Sequence, residues 1–154
     1  MIKNTKGGFQ PDEFKWLSTQ ENSSWRFRSR NRIILWTINR YIKKPESFLE
    51  IGCGTGFVLQ AISKAFPSTS LYGDEFFEDG LKYAKTRVPN ATFRCLDATE
   101  MKDEDRYDAI GAFDVIEHIE DDKATLKNCF QALKKEGHLF LTVPQHMWLW
   151  SKVD

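Results

Sequence analysis

Three glycines at alternate positions follow directly on an apolar segment, in residues 50–56, E-I-G-C-G-T-G. Glycine lets the backbone turn sharply and lets a ligand approach it closely. The spacing differs from the G-x-G-x-x-G loop of dinucleotide sites, because the third glycine position of that motif falls on Phe57 or Leu59. Glu50 places a negative charge before the loop, which suits an ammonium group better than a phosphate. A strand-end carboxylate bonded to nearby backbone is the alternative for this residue. The loop predicts a ligand site, and a bare strand-to-helix turn is the alternative.

The elements that would position this loop follow from hydrophobic periodicity, with prolines and glycine as stop signals. A helix that carries Ile34, Leu35, Ile38, Tyr41 and Ile42 ends at Pro45, and the next two helices end before Pro67 and Pro89. A last helix begins at Asp121 or Asp122. We expect it to bury Leu126, Cys129, Phe130 and Leu133 and to end with Lys134, Lys135 and Gly137. Strands are predicted at residues 47–51, 70–74, 91–96, 107–113 and 138–143.

Regular alternation of apolar strands with helices predicts a parallel sheet covered on both faces. The fold class is therefore α/β, a doubly wound, mostly parallel Rossmann-like sheet. In such folds a ligand binds beyond the carboxyl ends of the strands, where the strand order reverses. The glycine loop lies at the carboxyl end of the first strand, which is where this rule places a ligand.

Length and composition limit the remaining choices. The 154 residues suit one domain, and 22 basic against 22 acidic residues give no net charge that would indicate a nucleic-acid or membrane partner. Cys53, Cys95 and Cys129 are odd in number and far apart, which is typical of a reducing compartment. No apolar run approaches the length of a membrane span, and the first residues lack the apolar core of a signal peptide. We expect a cytoplasmic protein without membrane insertion.

Five segments in order resemble the motifs of class I S-adenosylmethionine-dependent methyltransferases, in the small-molecule branch often called type 11 or type 12. The first is the glycine loop with its strand, and the resemblance spans about residues 25 to 154. One loop of this kind is moderately specific, whereas the ordered set is strongly so. The segments are residues 48–56, FLEIGCGTG; 73–76, GDEF; 97–98, DA; 113–118, FDVIEH; and 141–151, LTVPQHMWLWS.

The resemblance implies S-adenosylmethionine as cofactor and implies its ligands residue by residue. Glu75 would accept hydrogen bonds from the ribose hydroxyls, although a dinucleotide fold would also place an acid there. Asp97 and Ala98 would hold the adenine, with a turn residue as the alternative for Asp97, and Phe76 would pack on the adenine face or in the core. Asp74 is expected to be a local turn or helix-capping acid. The cofactor-binding set is Glu50, Gly52, Cys53, Gly54, Glu75, Phe76, Asp97, Ala98, Phe113, Asp114, Arg30 and Arg32.

Methyl transfer from a sulfonium needs positioning and exclusion of water more than a nucleophile–base triad. His118, after the fourth strand, is the candidate catalytic base, because an imidazole pKa near 6.5 suits removal of a hydroxyl proton at neutral pH. A histidine that only hydrogen-bonds the loop or cofactor is the alternative. The resemblance implies an acceptor pocket lined by His146, Trp148 and Trp150, with a core-covering role as the alternative for the two tryptophans. His146 is also the second candidate for the base. His138 is expected to be structural.

Two charged runs permit more than one interpretation. In residues 26–32, Arg30 or Arg32 could clamp the carboxylate of the cofactor's methionine moiety, since guanidinium pairs well with carboxylate. An RNA-contacting patch and a solvated helix face are the alternatives. The acidic run at residues 117–122 is interpreted as a helix N-terminus with favourable charges, so no metal site is predicted.

The family's core has seven strands, whereas this sequence stops just after the fifth. We therefore expect a truncated chain with residues 1–45 packing over the cofactor site and residues 46–154 forming the cofactor-binding core. The exposed edge of the sheet favours a homo-oligomer. The expected reaction is methylation of a small-molecule or lipid- or sugar-linked acceptor at oxygen. A non-catalytic cofactor-binding module, an RNA methyltransferase and a nicotinamide-linked oxidoreductase are the alternatives.

Overall fold

A computed structural model describes residues 13–144 and shows five parallel strands flanked by helices. The order of strands across the sheet is β3-β2-β1-β4-β5: β2 and β3 lie on one side of β1, and β4 and β5 lie on the other, so the strand order reverses between β1 and β4. The helices are α1 (Glu13–Gln20), α2 (Trp25–Tyr41), α3 (Phe57–Ala65), α4 (Glu78–Arg87) and α5 (Asp122–Ala132). The strands are β1 (Ser47–Ile51), β2 (Ser70–Glu75), β3 (Thr92–Cys95), β4 (Tyr107–Phe113) and β5 (Leu133–Thr142).

The sheet separates two apolar layers, because successive side chains of a strand point to opposite faces. Phe48 of β1 joins the layer formed with α2, α3 and α4, in which Ile38 and Ile62 are fully buried. The next residue, Leu49, joins the layer formed with α5, which contains Cys129. The predicted doubly wound α/β fold is confirmed. None of the helices within residues 13–144 is long and apolar enough to cross a membrane.

The end of α5 differs from the sequence-based prediction. The helix ends at Ala132 and β5 begins at the next residue, so the predicted helical lysines lie in the strand. Glu136, and not Gly137, takes the left-handed conformation, with φ +64°. Gly137 is needed for a close approach instead, since a Cβ there would lie 2.8 Å from the carbonyl oxygen of Lys134. Phe130 was also predicted wrongly: it is 81% exposed, because α5 turns Thr125 and Cys129 to the sheet.

The acidic run at residues 117–122 leads into the N-terminus of α5 and supplies its N-cap residue. Asp121 is the N-cap residue, and its Oδ1 accepts a hydrogen bond of 2.9 Å from the backbone N–H of Ala124. A carboxylate at this position satisfies one of the unpaired donors of the first turn and is favoured by the helix dipole.

Replacing Gly56 by alanine should destabilise the fold more than the same change at Gly54. Both glycines are left-handed, with φ +76° and +52°, so either alanine costs about 1–2 kcal/mol in strain. Only at Gly56 would the new Cβ meet backbone, 2.9 Å from Cα of Ala84, which adds about 1–3 kcal/mol. Urea unfolding of the two variants measures the difference. Equal losses of stability would contradict close packing of α3 against α4.

Candidate active site

Backbone hydrogen bonds hold the glycine loop in place, and the loop leaves open space beside Gly54. The N–H of Cys53 donates to the carbonyl of Asp74 at 3.0 Å, and the N–H of Gly56 donates to the carbonyl of Cys53 at 2.8 Å. Gly54 differs from its neighbours, because a Cβ there would meet only Cε1 of Phe14, at 3.9 Å. A ligand could therefore approach the backbone at Gly54.

Hydrogen bonds to the carboxylate of Glu75 connect this loop to the carboxyl end of β2. Its Oε2 accepts from the N–H of Gly54 at 2.8 Å, and its Oε1 accepts from the N–H of Phe77 at 3.0 Å. Burial raises the pKa of Glu75, and these backbone donors oppose the rise. A carboxylate has about four acceptor positions, so both oxygens can accept a further donor from a ligand.

Glu50 lies at the end of β1 and is 3% exposed. Its Oε2 accepts from the N–H of Leu59 at 3.1 Å, in the first turn of α3. Its Oε1 makes no hydrogen bond with any residue between 13 and 144. Burial raises the pKa of Glu50 well above the ordinary range, with a smaller contribution from the charge of Glu75 and an opposing one from Arg30. A positively charged ligand group would favour the ionised form of this buried carboxyl.

Arg30 reaches the site from α2. Its Nη1 donates to Oδ2 of Asp114 at 2.7 Å, while Oδ1 of Asp114 accepts from the hydroxyl of Thr142 at 2.9 Å. Asp114 follows β4 with a left-handed φ of +58°, a strained conformation for a residue other than glycine. The buried Nε of Arg30 has no hydrogen-bond partner among the described residues. Arg30 is thus oriented from one side and retains a donor for an anionic ligand group.

Arg32, the other candidate from the arginine run, is not brought to this site. It is exposed and lies two residues beyond Arg30, which corresponds to about 200° around the helix. Its assignment as a cofactor ligand stays a prediction, and Arg30 is the arginine of the pair that the described contacts bring to the site.

The N-terminal helix is joined to the loop by side chains that the sequence did not single out. The hydroxyl of Thr55 lies 2.7 Å from both carboxylate oxygens of Glu21, and Nη1 of Arg87 donates to the same hydroxyl at 2.7 Å. Arg87 also forms an ion pair with Glu21 and lies over the ring of Phe57, 5.3 Å from its centroid. Burial raises the pKa of Glu21, and Thr55 and Arg87 oppose this. Phe14 of α1 lies 3% exposed beside the loop.

Asp74 is an ion-pair residue rather than a turn or capping acid, so that expectation was wrong. It is 2% exposed and accepts from Nε and Nη2 of Arg94 at 2.7 Å each, and Arg94 also pairs with Asp103 at 2.8 Å. The reason is strand alternation: Asp74 and Glu75 are consecutive in β2 and point to opposite faces of the sheet. Glu75 therefore faces the loop while its neighbour binds the adjacent strand.

The residues assigned to the adenine lie near the ends of β2 and β3. Phe76 is 44% exposed, and its ring packs edge-on against Phe77 with centroids 5.0 Å apart. Oδ1 of Asp97 accepts from the N–H and hydroxyl of Thr99, at 2.9 and 2.7 Å, which is the turn role considered for it. Ala98 is buried, and its carbonyl accepts from Nδ2 of Asn128 at 3.0 Å.

Other assigned residues have different surroundings. The side chains of Cys53 and Phe113 are buried in the core beneath the site, and the assignment of these two residues to the cofactor stays a prediction. His118 ends the short 3₁₀ turn Ile116–His118 that follows β4, on the expected side of the sheet. His146, Trp148 and Trp150 lie outside the described residues. Within residues 13–144 no group of three metal-ligating side chains is found.

Residues 24–153 match the sequence profile of a protein family described as a methyltransferase domain. The chain belongs to this family, whose members are class I S-adenosylmethionine-dependent methyltransferases, and S-adenosylmethionine is the cofactor. The cofactor fits the site: there is open space at Gly54, two buried carboxylates suit its ammonium and hydroxyl groups, and Arg30 retains an unpaired donor.

Particular relatives support this membership. The malonyl-[acyl-carrier protein] O-methyltransferase of Bacillus cereus is 35% identical over 100 residues, which are 64% of this chain and 37% of that protein. The ubiquinone biosynthesis O-methyltransferase of Coxiella burnetii is 28% identical over 102 residues, 64% of this chain and 44% of that protein. The matched region thus spans about two fifths of the length of these curated relatives.

Solved structures show the same fold. A methyltransferase from Methanococcus maripaludis has a TM-score of 0.77 at 19% identity, covering 92% of this chain and 67% of that one. The plantazolicin methyltransferase BpumL, solved with a substrate analogue and S-adenosylhomocysteine, has a TM-score of 0.69 at 27% identity. That alignment covers 85% of this chain and 52% of BpumL.

The Glu50→Gln variant should be more stable than the parent without ligand, yet bind S-adenosylhomocysteine more weakly. A raised pKa means that the folded chain holds the proton more tightly than the unfolded chain. Stability is therefore lost as the pH rises from the ordinary glutamate range through the raised value. Glutamine keeps an acceptor for Leu59 without a charge. Losing a charge-assisted hydrogen bond to the ammonium group should cost about 1.5–3 kcal/mol of binding.

Thermal unfolding at pH 5 and pH 8, with calorimetric titration, measures both effects. Glu100→Gln is the matched control, because this exposed glutamate loses the same charge outside the site. A Glu50→Gln variant that is less stable than the parent at pH 8, or that binds with unchanged affinity, would contradict the prediction.

The Glu75→Ala variant should bind S-adenosylhomocysteine about 1–3 kcal/mol more weakly, because ribose donors would lose their acceptor. It should also unfold at lower temperature, since the N–H groups of Gly54 and Phe77 lose theirs. Glu78→Ala removes an exposed carboxylate three residues away and should leave the affinity unchanged; its effect on stability should not exceed the roughly 0.3–1 kcal/mol of an acid in the first turn of α4. Unchanged affinity in the Glu75 variant would refute the ribose assignment.

Proposed function

We propose that this chain takes part in transfer of a methyl group from S-adenosylmethionine to an oxygen of a small-molecule or lipid- or sugar-linked acceptor. The observation that carries the proposal is the pair Glu50 and Glu75, both buried at the carboxyl ends of adjacent strands beside the open side of Gly54. Oxygen as the acceptor atom is supported by the names of the two curated relatives, which are both O-methyltransferases.

The cofactor's groups are assigned to residues according to charge. Glu75 accepts from the ribose hydroxyls, and Glu50 with the backbone at Gly52 and Gly54 holds the ammonium end. Arg30, oriented by Asp114, donates its remaining N–H groups to the carboxylate of the methionine moiety.

The adenine end lies toward β3. Phe76 packs against one face of the ring, and Asp97 and Ala98 contact its edge. These assignments agree with the exposure of Phe76 and with the position of Asp97 and Ala98 just after β3. Asp97 has its second oxygen available, because only Oδ1 is engaged by Thr99.

When bound, the cofactor supplies an activated methyl group whose leaving group is a neutral thioether. The protein therefore contributes orientation and exclusion of water. Orientation comes from carboxylates fixed by backbone donors, as at Glu75 and Glu50. Phe14 contributes to exclusion, because α1 is held beside the loop through Glu21 and Arg87.

On the acceptor side His118 is the proposed base, and His146, Trp148 and Trp150 are the proposed lining of the acceptor pocket. A ring nitrogen of the imidazole can accept the hydroxyl proton as the methyl group is transferred. With an acceptor identified, His118→Ala should lower turnover at unchanged affinity for S-adenosylhomocysteine. Equal losses in both quantities would assign His118 to binding instead.

The setting in which the protein works is also proposed. Cys53, Cys95 and Cys129 are all free thiols, which agrees with a cytoplasmic location. The exposed Leu141 and Val143 at the end of the edge strand β5 favour association of two copies through that edge.

Calorimetric titration of the full chain with S-adenosylhomocysteine, and with NAD as control, tests the cofactor half of this proposal. We expect saturable binding of S-adenosylhomocysteine alone, because the loop lacks the glycine spacing for a pyrophosphate. The Glu75→Ala variant should lose binding by the amount given above. Binding of NAD, or no binding by a sample shown to be folded, would contradict the proposal.

A further inference from the structure

The outward face of α2 exposes three large apolar side chains. Trp25 is 74% exposed, Ile33 is 65% exposed and Trp36 is 67% exposed. The two tryptophans are three turns apart, so they lie at nearly the same angle around the helix and about 16 Å apart along it. Ile33 precedes Trp36 by one turn and is its neighbour on the helix surface. Single exposed apolar residues are ordinary, but three on one face need an explanation.

Arginines lie on the same face. Arg28, Arg32 and Arg40 are exposed and stand three or four residues from one of the tryptophans, which places them beside the indoles. Their side chains make no hydrogen bond or ion pair with any residue between 13 and 144. The helix from Trp25 to Tyr41 contains no acidic residue at all. We call Trp25, Arg28, Arg32, Ile33, Trp36 and Arg40 the α2 outer face.

Folding does not require this composition. The opposite side of α2 already carries the buried Ile34 and Ile38 that pack on the sheet. Cations near the start of a helix, such as Arg28, are disfavoured by the positive end of the helix dipole. Indoles that remain about 70% exposed gain little from burial. The α2 outer face is therefore better explained by a partner than by stability.

We propose that the α2 outer face docks the protein on an anionic lipid surface as a peripheral contact. Indole rings favour the level of the lipid headgroups, and an aliphatic side chain beside them can enter the boundary of the acyl chains. Arginine stems cover apolar surface while their guanidinium groups bind lipid phosphates. The charge of the face, three exposed arginines without an acid in the helix, complements a negatively charged membrane.

Ile33 favours lipid over a single-stranded nucleic acid. Nucleic-acid surfaces combine cations with aromatic rings on which bases stack. An aliphatic side chain offers no ring for stacking and no hydrogen bond to a base, whereas it gains free energy on leaving water for lipid. Docking would also place the candidate active site near the membrane, since Arg30 of the same helix contacts Asp114. That orientation rests on the proposed function, whereas the docking itself does not.

Co-sedimentation of the full chain with lipid vesicles tests the proposal. Vesicles of phosphatidylcholine and phosphatidylglycerol in equal parts should bind the chain, and vesicles of phosphatidylcholine alone should bind it much more weakly. The double variant Arg28→Gln, Arg32→Gln should partition roughly tenfold or more weakly, because each cation near an anionic surface contributes to binding. The double variant Trp25→Ser, Trp36→Ser should lose binding to a similar degree.

Matched controls lie on α5, across the sheet. Lys123→Gln with Lys127→Gln removes two exposed positive charges, and Phe130→Ser removes a side chain that is 81% exposed. Neither should change vesicle binding. Thermal unfolding establishes that every variant is folded, independently of cofactor binding. If the control variants reduce binding as much as the α2 variants, or if the parent does not bind anionic vesicles, the proposal is overturned.

Two other partners, RNA and a second copy of the chain, are distinguished by further measurements on the same variants. Binding of polyuridylate that the α2 variants abolish, without vesicle binding, would overturn the lipid proposal in favour of RNA. Sedimentation velocity detects a second copy as partner: a dimer lost in the tryptophan double variant, without vesicle binding, would overturn it in favour of self-association.

Discussion

Burial of carboxylates at one edge of the sheet is the constraint on which the site depends. Glu21, Glu50, Asp74 and Glu75 are all at most 6% exposed, and burial raises the pKa of each. A buried charge is tolerated only when donors surround it. Backbone N–H groups serve Glu50 and Glu75, whereas arginines serve the other two. Because Glu50 and Glu75 accept only from backbone donors, their carboxylates remain open to compensation by donor groups of a ligand.

The elements were predictable because local patterns determine them. Strands at residues 47–51 and 107–113 begin and end where the apolar runs predicted, since fully buried parallel strands are nearly continuous apolar segments. The loop was predictable as well, because its left-handed positions require glycine. The ends of the helices were harder to predict from the sequence. At the end of α5 pairing of β5 with β4 begins at once, and this tertiary contact overrides the helix-capping signal of Gly137.

The connections between elements could not be predicted in the same way. Arg30 and Asp114 are 84 residues apart, and their contact depends on the rotation of α2 about its own axis. The same rotation turns the side chains of Arg30 and Arg32 in different directions, although the sequence analysis gave either of them as the candidate for one role. Composition was misleading for a related reason: a net charge of zero hides a helix that carries five arginines and no acid. The placement of charges, which only the fold reveals, determines the electrostatic character of each surface.

The contact of Glu21 with Arg87 has a consequence for the order of assembly during synthesis. The two residues are 66 positions apart, so the ribosome releases α1 long before its partner in α4 exists. Until then Glu21 lacks the guanidinium group that pairs with it, and a helix of eight residues is unstable by itself. Although α1 precedes the other described helices along the chain, its contact with Arg87 can form only after α4 has been synthesised.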